Sequence, residues 1–341
     1  MSAVVARVRR RRRVRALVTT TTLTALVVTL FIVTLSIGSM PLSAGQIVGA
    51  LVGLDTGPGV DYVVRDLRLP TAATALGVGL AMGLSGIVFQ RLLANPLASP
   101  DFVGVSAGAS FAAVLAIVVL GLAGPWVCLA ALVGAVTAAT LIYLLAWRDG
   151  VSGYRFILVG IGVLQFFTAG SGYVLSRATR YEAREAMTWM VGGVGQAGAF
   201  ELRLLWVGIA LVVPVVLVLT RHLATLELGD DTATALGAPV QAMRLALTLA
   251  AVALVALATA TAGPMAFVAL IAGPIALRLV GVGGPALPAS ALVGAVIVLT
   301  ADLVAVHAFP AQLPTGVVTG AIGAPYLIWL LVSTNREGRG G

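Results

Sequence analysis

The stretch Gly83–Ser110, GLSGIVFQRLLANPLASPDFVGVSAGAS, decides the fold. Its first half is an apolar helix that carries Gly83, Ser85, Gly86 and Gln90 and ends at Arg91. A polar turn follows, Asn95-Pro96-Leu97-Ala98-Ser99-Pro100-Asp101, and then a second apolar helix that opens on small residues, among them Gly104, Ser106 and Gly108. Pro96 and Pro100 cannot stand inside a helix without kinking it, because each fixes φ and lacks an N–H. Asn95 and Ser99, each directly before a proline, suit turn or N-cap positions. The pattern predicts a tight hairpin between two membrane helices.

The rest of the chain agrees with a membrane setting. Of its 341 residues 60% are hydrophobic and only 10% charged, against about 25% charged in soluble domains. The formal net charge of +8 would suggest nucleic acid in a soluble protein; here it fits the arginine and lysine enrichment of cytoplasmic loops. All 21 basic residues are arginine. A P-loop needs a lysine, so this chain cannot bind ATP through that motif. The single Cys128 excludes an internal disulfide and a cysteine metal cluster, and it reads as a small buried hydrophobe.

Arg7, Arg9 to Arg13 and Arg15 make residues 1–15 a basic segment, read as a cytoplasmic topology anchor and not a nucleic-acid arm. The apolar run from Ala16 to Ile37 is longer than a signal-peptide core and lacks an A-x-A cleavage site, so a first membrane helix is expected. Residues 38–68 hold Gly, Pro and Asp and read as a loose external stretch; Pro70 then opens a helix from Leu69 to Leu93. Further membrane helices are expected near 102–122, 125–147, 156–175, 202–220, 242–261, 264–279, 288–307 and 315–332. The sum is an all-α protein of about ten crossings with both termini inside. Arginine supports this orientation: 15 of 21 fall inside, and Arg65, Arg68, Arg177, Arg180, Arg184 and Arg203 fall outside. Residues 16–335 form one membrane domain, and 336–341 a cytoplasmic tail. The many glycines and alanines predict close helix packing, not a substrate.

The Asn-Pro-Leu-Ala hairpin, with Gln90 before it and Gly104 and Gly108 after it, resembles the signature of the iron-siderophore and cobalamin family of bacterial ABC-importer permeases. Further blocks are similar to the same family: Arg155-x-x-Leu158-x-Gly160, Trp189-x-x-Gly192-Gly193, Leu226-x-Leu228-Gly229-Asp230 with Ala235-Leu236-Gly237, Gly263-Pro264-x-x-Phe267, and Leu313-Pro314-x-Gly316. Three positions depart from it: Gly273-Pro274 where the family usually has Pro-His, Gln312 where it has Glu, and Val306 where many members carry arginine. The resemblance leans toward the ferric-siderophore branch; cobalamin or haem import is the alternative.

That resemblance implies a type II ABC-importer permease, with two ATPase subunits in the cytoplasm, an extracytoplasmic siderophore-binding protein and a second, identical or homologous, permease. No cofactor is expected on this chain; ATP belongs to the partner. Arg65 and Arg68 match the position where family arginines dock the binding protein, snorkelling being the plain alternative. The loop of about 222–239, with Glu227, Leu228, Gly229, Asp230, Asp231, Ala235, Leu236 and Gly237, resembles the ATPase-coupling element. Asp230, Asp231 and Thr232 offer N-caps to a short helix that Gly237 and Pro239 end. Val151, Ser152 and Gly153 match a cytoplasmic gate. Gln90, Asn95, Pro96, Pro100, Gly104, Gly108 and Asp302 are structural signature positions.

Asp302 also raises a different class of function. An acid within a membrane helix suits a proton-coupled carrier, although a structural role agrees better with the resemblance. An intramembrane serine protease is excluded by geometry. Gly83-Leu84-Ser85-Gly86 supplies a G-x-S-G, but Ser85 lies roughly 24 Å below the outer end of its helix at 1.5 Å per residue, and His307 stands at an outer end.

Overall fold

The computed structural model of the chain describes residues 2–337 except 39, 55, 58, 102–103, 148–152, 227–228 and 282–285. α1 (Ser2–Ser36) is followed by α2 (Ala44–Val52), α3 (Val60–Tyr62), a π-helical segment over Val63–Arg68, and α4 (Leu69–Leu92). Next come α5 (Val105–Val118), α6 (Pro125–Ala146), α7 (Gly153–Arg177), α8 (Arg180–Val191), a 3-10 turn at Val194–Gln196 and α9 (Ala199–Leu226). α10 (Asp230–Ala235), α11 (Val240–Ala262), α12 (Val268–Val280), α13 (Ala286–His307) and α14 (Thr315–Glu337) follow. Seven helical stretches are long and apolar enough to cross a bilayer, and three shorter apolar ones, Val105–Val118, Val268–Val280 and Thr315–Leu330, accompany them. The protein is all-α and crosses the membrane several times.

α4 is the axis of the bundle, packed against α9, α11, α12 and α13. Between helices in lipid, apolar burial contributes little, so close backbone approach and hydrogen bonds must hold them together. The turns from Gly83 to Gln90 supply both. Ser290 Oγ donates to the Gly83 carbonyl at 2.6 Å, joining α13. Ser85 Oγ donates to the Ala251 carbonyl at 2.7 Å, joining α11, and Gln90 Nε2 donates to the Leu270 carbonyl at 2.8 Å, joining α12. Gly79 and Gly83 let α13 approach to backbone contact: a Cβ on Gly79 would stand 2.5 Å from the Ala295 Cα. Gly108 and Gly134 face one another across the α5–α6 contact in the same way.

One expectation needs correcting. Residues 38–68 are not loose: they contain α2, and helical winding runs unbroken from Val60 into α4. A proline ring clashes with the carbonyl four residues earlier; the wider π winding directly before Pro70 makes room for that ring and lets the helix continue. The arginine run is helical as well, wound into the start of α1. Arg15 leaves the run to donate to the carbonyls of Leu279 at 2.9 Å and Arg278 at 2.8 Å, satisfying the end of α12.

The expected hairpin between α4 and α5 is present and is partly covered by other helices, with Pro96 exposed. Ala98, Ser99, Pro100 and Gly104 are buried. Asn95 Oδ1 accepts from the Leu97 N–H at 2.9 Å, forming the expected side-chain turn. Gly104, at φ +99°, lies so close to Gly160 and Leu164 of α7 that a Cβ would stand 3.1 Å from the Leu164 nitrogen. Asp101 Oδ1 accepts from Ser106 Oγ, which lies 3.3 Å from Thr259 Oγ1 of α11. Irregular backbone of this kind is tolerated inside a membrane protein where other protein covers it. α5 is correspondingly short, 14 residues, in place of the longer helix expected from the sequence; Phe102 and Val103 lie outside the described residues.

Candidate functional site

The first candidate, expected on the cytoplasmic side, is the α9–α10–α11 corner. Leu223 of α9, Ala233 of α10 and Val240 of α11 are buried, and α10 packs on both neighbours. Gly229, at φ +93°, stands at the cap position with no side-chain cap bond, so α10 starts at Asp230 and the expected caps Asp230, Asp231 and Thr232 form its first turn instead. Gly237, at φ +78°, ends the helix as expected: its N–H donates to the Thr234 carbonyl, and the Ala238 N–H to that of Ala233. Leu236 is 65% exposed. α10 is thus a short helix with a glycine at each end, Ala233 buried on one side and Leu236 exposed beside Ala235. Glu227 and Leu228 lie outside the described residues. So do Val151 and Ser152 of the expected gate; Gly153 begins α7.

The second candidate pair, Arg65 and Arg68, expected outside, is brought together on the π-helical segment. Arg65 Nε donates to the Ala50 carbonyl at 2.6 Å. Arg68 donates to the carbonyls of Leu35 at 2.8 Å, Ser36 at 3.1 Å and Met40 at 2.6 Å. Both guanidiniums therefore hold backbone: Arg68 satisfies the last carbonyls of α1, where a cation also meets the negative end of the helix dipole.

A further feature joins three blocks that are separate in the sequence. The Gly193 N–H donates to the Ala262 carbonyl at 2.7 Å, and the Gly316 N–H to the Gly192 carbonyl at 3.0 Å. Gly192, at φ +77°, lies against Pro264, and Gly263, at φ +72°, against the Trp189 carbonyl. The C-terminal ends of α8 and α11 and the start of α14 are thus interlocked through backbone. Asp302 stands beside this junction, buried on α13, with Oδ1 accepting from Thr315 Oγ1 at 3.0 Å at the start of α14. Ser85 and His307 make separate bonds, to the Ala251 and Leu303 carbonyls respectively. No metal-binding group of three His, Cys, Asp or Glu occurs among the described residues.

Sequence reasoning missed α8 as an element. Its signal was present: Thr179 and Glu182 form a capping box, in which Glu182 Oε2 accepts from the Thr179 N–H at 2.9 Å. Backbone and side-chain bonds from Thr179 hold the Glu182 carboxyl below the usual glutamate range.

The description of the FecCD transport family matches residues 26–333. The chain belongs to the FecCD transport family. It is 39% identical to the ferric enterobactin transport system permease protein FepG of Escherichia coli over 308 residues, 88% of this chain and 91% of that protein. Identity is also 39% to the achromobactin transport system permease protein CbrC of Dickeya dadantii, over 90% of this chain and 89% of the relative. A solved structure described as an inward-facing metal-chelate type ABC transporter superposes with a TM-score of 0.81 at 28% identity, covering 93% of this chain and 99% of the other. This FecCD-family chain is a transport permease subunit.

Proposed function

We propose that this chain is the membrane-spanning subunit of an ABC importer that takes ferric siderophores across the bacterial cytoplasmic membrane. The observation that carries the substrate class is the 39% identity, over nearly the whole chain, to permeases named for ferric enterobactin and achromobactin. The seven long and three shorter apolar helices support ten crossings, and the arginine bias supports cytoplasmic termini. ATP is hydrolysed by separate subunits, since this chain has no lysine for a P-loop.

In this reading α10 is the knob that enters a groove on the ATPase. Its burial against α9 and α11 means that a push on α10 moves both helices as rigid bodies. Val151, Ser152 and Gly153 belong to the cytoplasmic gate. A second permease, identical or homologous, completes the translocation path, and an extracytoplasmic binding protein delivers the chelate. Asp302 serves the fold: its bond to Thr315 fixes the start of α14 beside the outer junction.

The test is uptake of radiolabelled iron, offered as a panel of siderophore chelates, in cells with and without this chain, with labelled cobalamin and haem in parallel. Loss of one iron chelate supports the reading and names the siderophore. Unchanged iron uptake with lost cobalamin or haem uptake moves the chain to the other ligand branch.

A further inference from the structure

Pro274 stands inside α12. A proline in a helix has no N–H for the carbonyl four residues earlier, and its ring pushes that carbonyl aside. In α12 that carbonyl belongs to Leu270, and it is not left bare: Gln90 Nε2 of α4 donates to it at 2.8 Å. A carbonyl only accepts, so the Gln90 amide faces it with nitrogen and turns its oxygen the other way. Gln90 is 4% exposed, and its Oε1 meets no donor among the described residues. That oxygen lies against Gly273, where a Cβ would collide with it. Gly86, one turn before Gln90 on α4, makes room for the Ala269 carbonyl in the same way. Gly273-Pro274 is also where this sequence departs from the Pro-His usual in the family. A proline one place earlier would free the Ala269 carbonyl instead, and that carbonyl faces Gly86, which has no side chain to donate.

Pro274 divides α12 into two parts with different holders. The N-terminal part opens at Phe267, at φ +68°, a conformation that a non-glycine residue holds at a cost. Gly323 of α14 makes room for the Phe267 side chain. The C-terminal part ends at the Arg278 and Leu279 carbonyls, held by Arg15 of α1 at 2.8 and 2.9 Å, with Thr19 Oγ1 on Leu279 at 3.3 Å. Arg278 lies over Trp329 of α14, 4.4 Å from the ring centroid. α14 carries a proline of its own, Pro325, between Gly323 and Trp329. Both helices are therefore interrupted by proline between these two contacts. Proline is where helices bend, and inside a membrane a bend is tolerated when a neighbouring helix satisfies the freed backbone group. The bare Gln90 Oε1 raises the energy of the conformation seen, which lowers the cost of leaving it.

We propose that Gln90 and Pro274 form a joint. The C-terminal turns of α12, together with the parts of α1 and α14 that hold them, change their angle to the N-terminal part during transport, and the Gln90 amide keeps the Leu270 carbonyl satisfied as they do. Gln90 is thus a positioning residue that acts through α12. Its part in transport rests on the importer reading above; its replacement of a missing N–H does not.

The first experiment is a cycle of Gln90→Leu, Pro274→Ala and the double variant, read by denaturant unfolding of the purified full chain in mixed micelles. Gln90→Leu alone is expected to shift the folding equilibrium by about tenfold or more toward the unfolded state, because it strands a buried carbonyl. Pro274→Ala returns the backbone N–H, so in that background the loss from Gln90→Leu should largely vanish. Equal losses in both backgrounds overturn the assignment of Gln90 to Pro274. The second experiment is ATP-driven transport by the full complex in proteoliposomes, with the chelate that the uptake assay selects. Pro274→Ala should keep or gain stability and yet transport several-fold more slowly, a split that a purely structural proline would not give. Transport at the wild-type rate overturns the joint. Where Pro274→Ala does not fold, the native proline decides: spin labels at the exposed Leu279 and Ile322, in a Cys128→Ala background, should change their separation between the resting and the nucleotide-trapped complex. An unchanged separation overturns the joint. Absence of ATP-driven transport by wild type overturns the importer reading, while the unfolding cycle still decides what Gln90 does.

Discussion

Replacing Arg68 by glutamine separates a scaffold role from a docking role, and the structure fixes the size of the effect. The guanidinium donates three hydrogen bonds, to Leu35, Ser36 and Met40 carbonyls at 2.8, 3.1 and 2.6 Å. A hydrogen bond to a charged group contributes about 1.5–3 kcal/mol net, and a cation at a helix C-terminus about 0.3–1 kcal/mol. Arg68 is only half-buried, so water replaces part of what is lost and the bonds do not add in full. Leu35 itself is buried, so water replaces the donor lost at its carbonyl poorly. The expected net loss is roughly 2–4 kcal/mol. The assay is denaturant unfolding of the purified chain in mixed micelles, with Arg65→Gln beside it. Arg65→Gln should lose less, since Arg65 is exposed and donates one such bond, to Ala50. Unchanged stability in Arg68→Gln, combined with loss of binding-protein affinity, would refute the scaffold role.

The other predictions concern packing, the buried acid and pH. Gly83→Ala puts a methyl against the Ser290 carbonyl and should destabilise by at least about 1–3 kcal/mol, the usual cost of overpacking; Gly162→Ala, where nothing lies within 4 Å, should be neutral or slightly stabilising in the same unfolding assay. Asp302→Asn keeps an oxygen that accepts from Thr315 Oγ1, so transport should survive; abolished uptake with normal protein levels would favour a proton-coupled carrier. Glu182 has its carboxyl held below the ordinary value of 4.5, so its contribution to α8 is present above that value and lost as the pH falls through the folded one. Hydrogen-exchange protection of α8 amides, corrected for intrinsic rates, should drop over that acid range in wild type, and Thr179→Ala should remove the dependence.

Helix existence was legible in the sequence because hydrophobic runs of membrane length carry a strong signal, and α10 was legible because its glycines mark its limits. Two features were hidden for physical reasons. The Gly, Pro and Asp content of residues 38–68 looks like loop, yet the π winding before Pro70 carries the helix through, and only tertiary contacts with the ends of α1 and α2 favour it. The hairpin was found in the right place: its prolines and Asn95 specify a turn, whereas the burial of Ala98 to Pro100 depends on α7 and α11, which lie far away in the chain. The candidate sites divide in the same way. Motif positions were readable, but the engagement of Arg65 and Arg68 by backbone carbonyls depends on distances that no local pattern encodes.

The central claim is ATP-driven import of an iron chelate, and its most direct test is transport into proteoliposomes that contain this chain, its partner permease and the ATPase. The binding protein and a labelled ferric siderophore are supplied on one side and ATP on the other. The account predicts accumulation that requires ATP and the binding protein and is indifferent to a proton ionophore. Accumulation without ATP that collapses when the proton gradient is dissipated would contradict it.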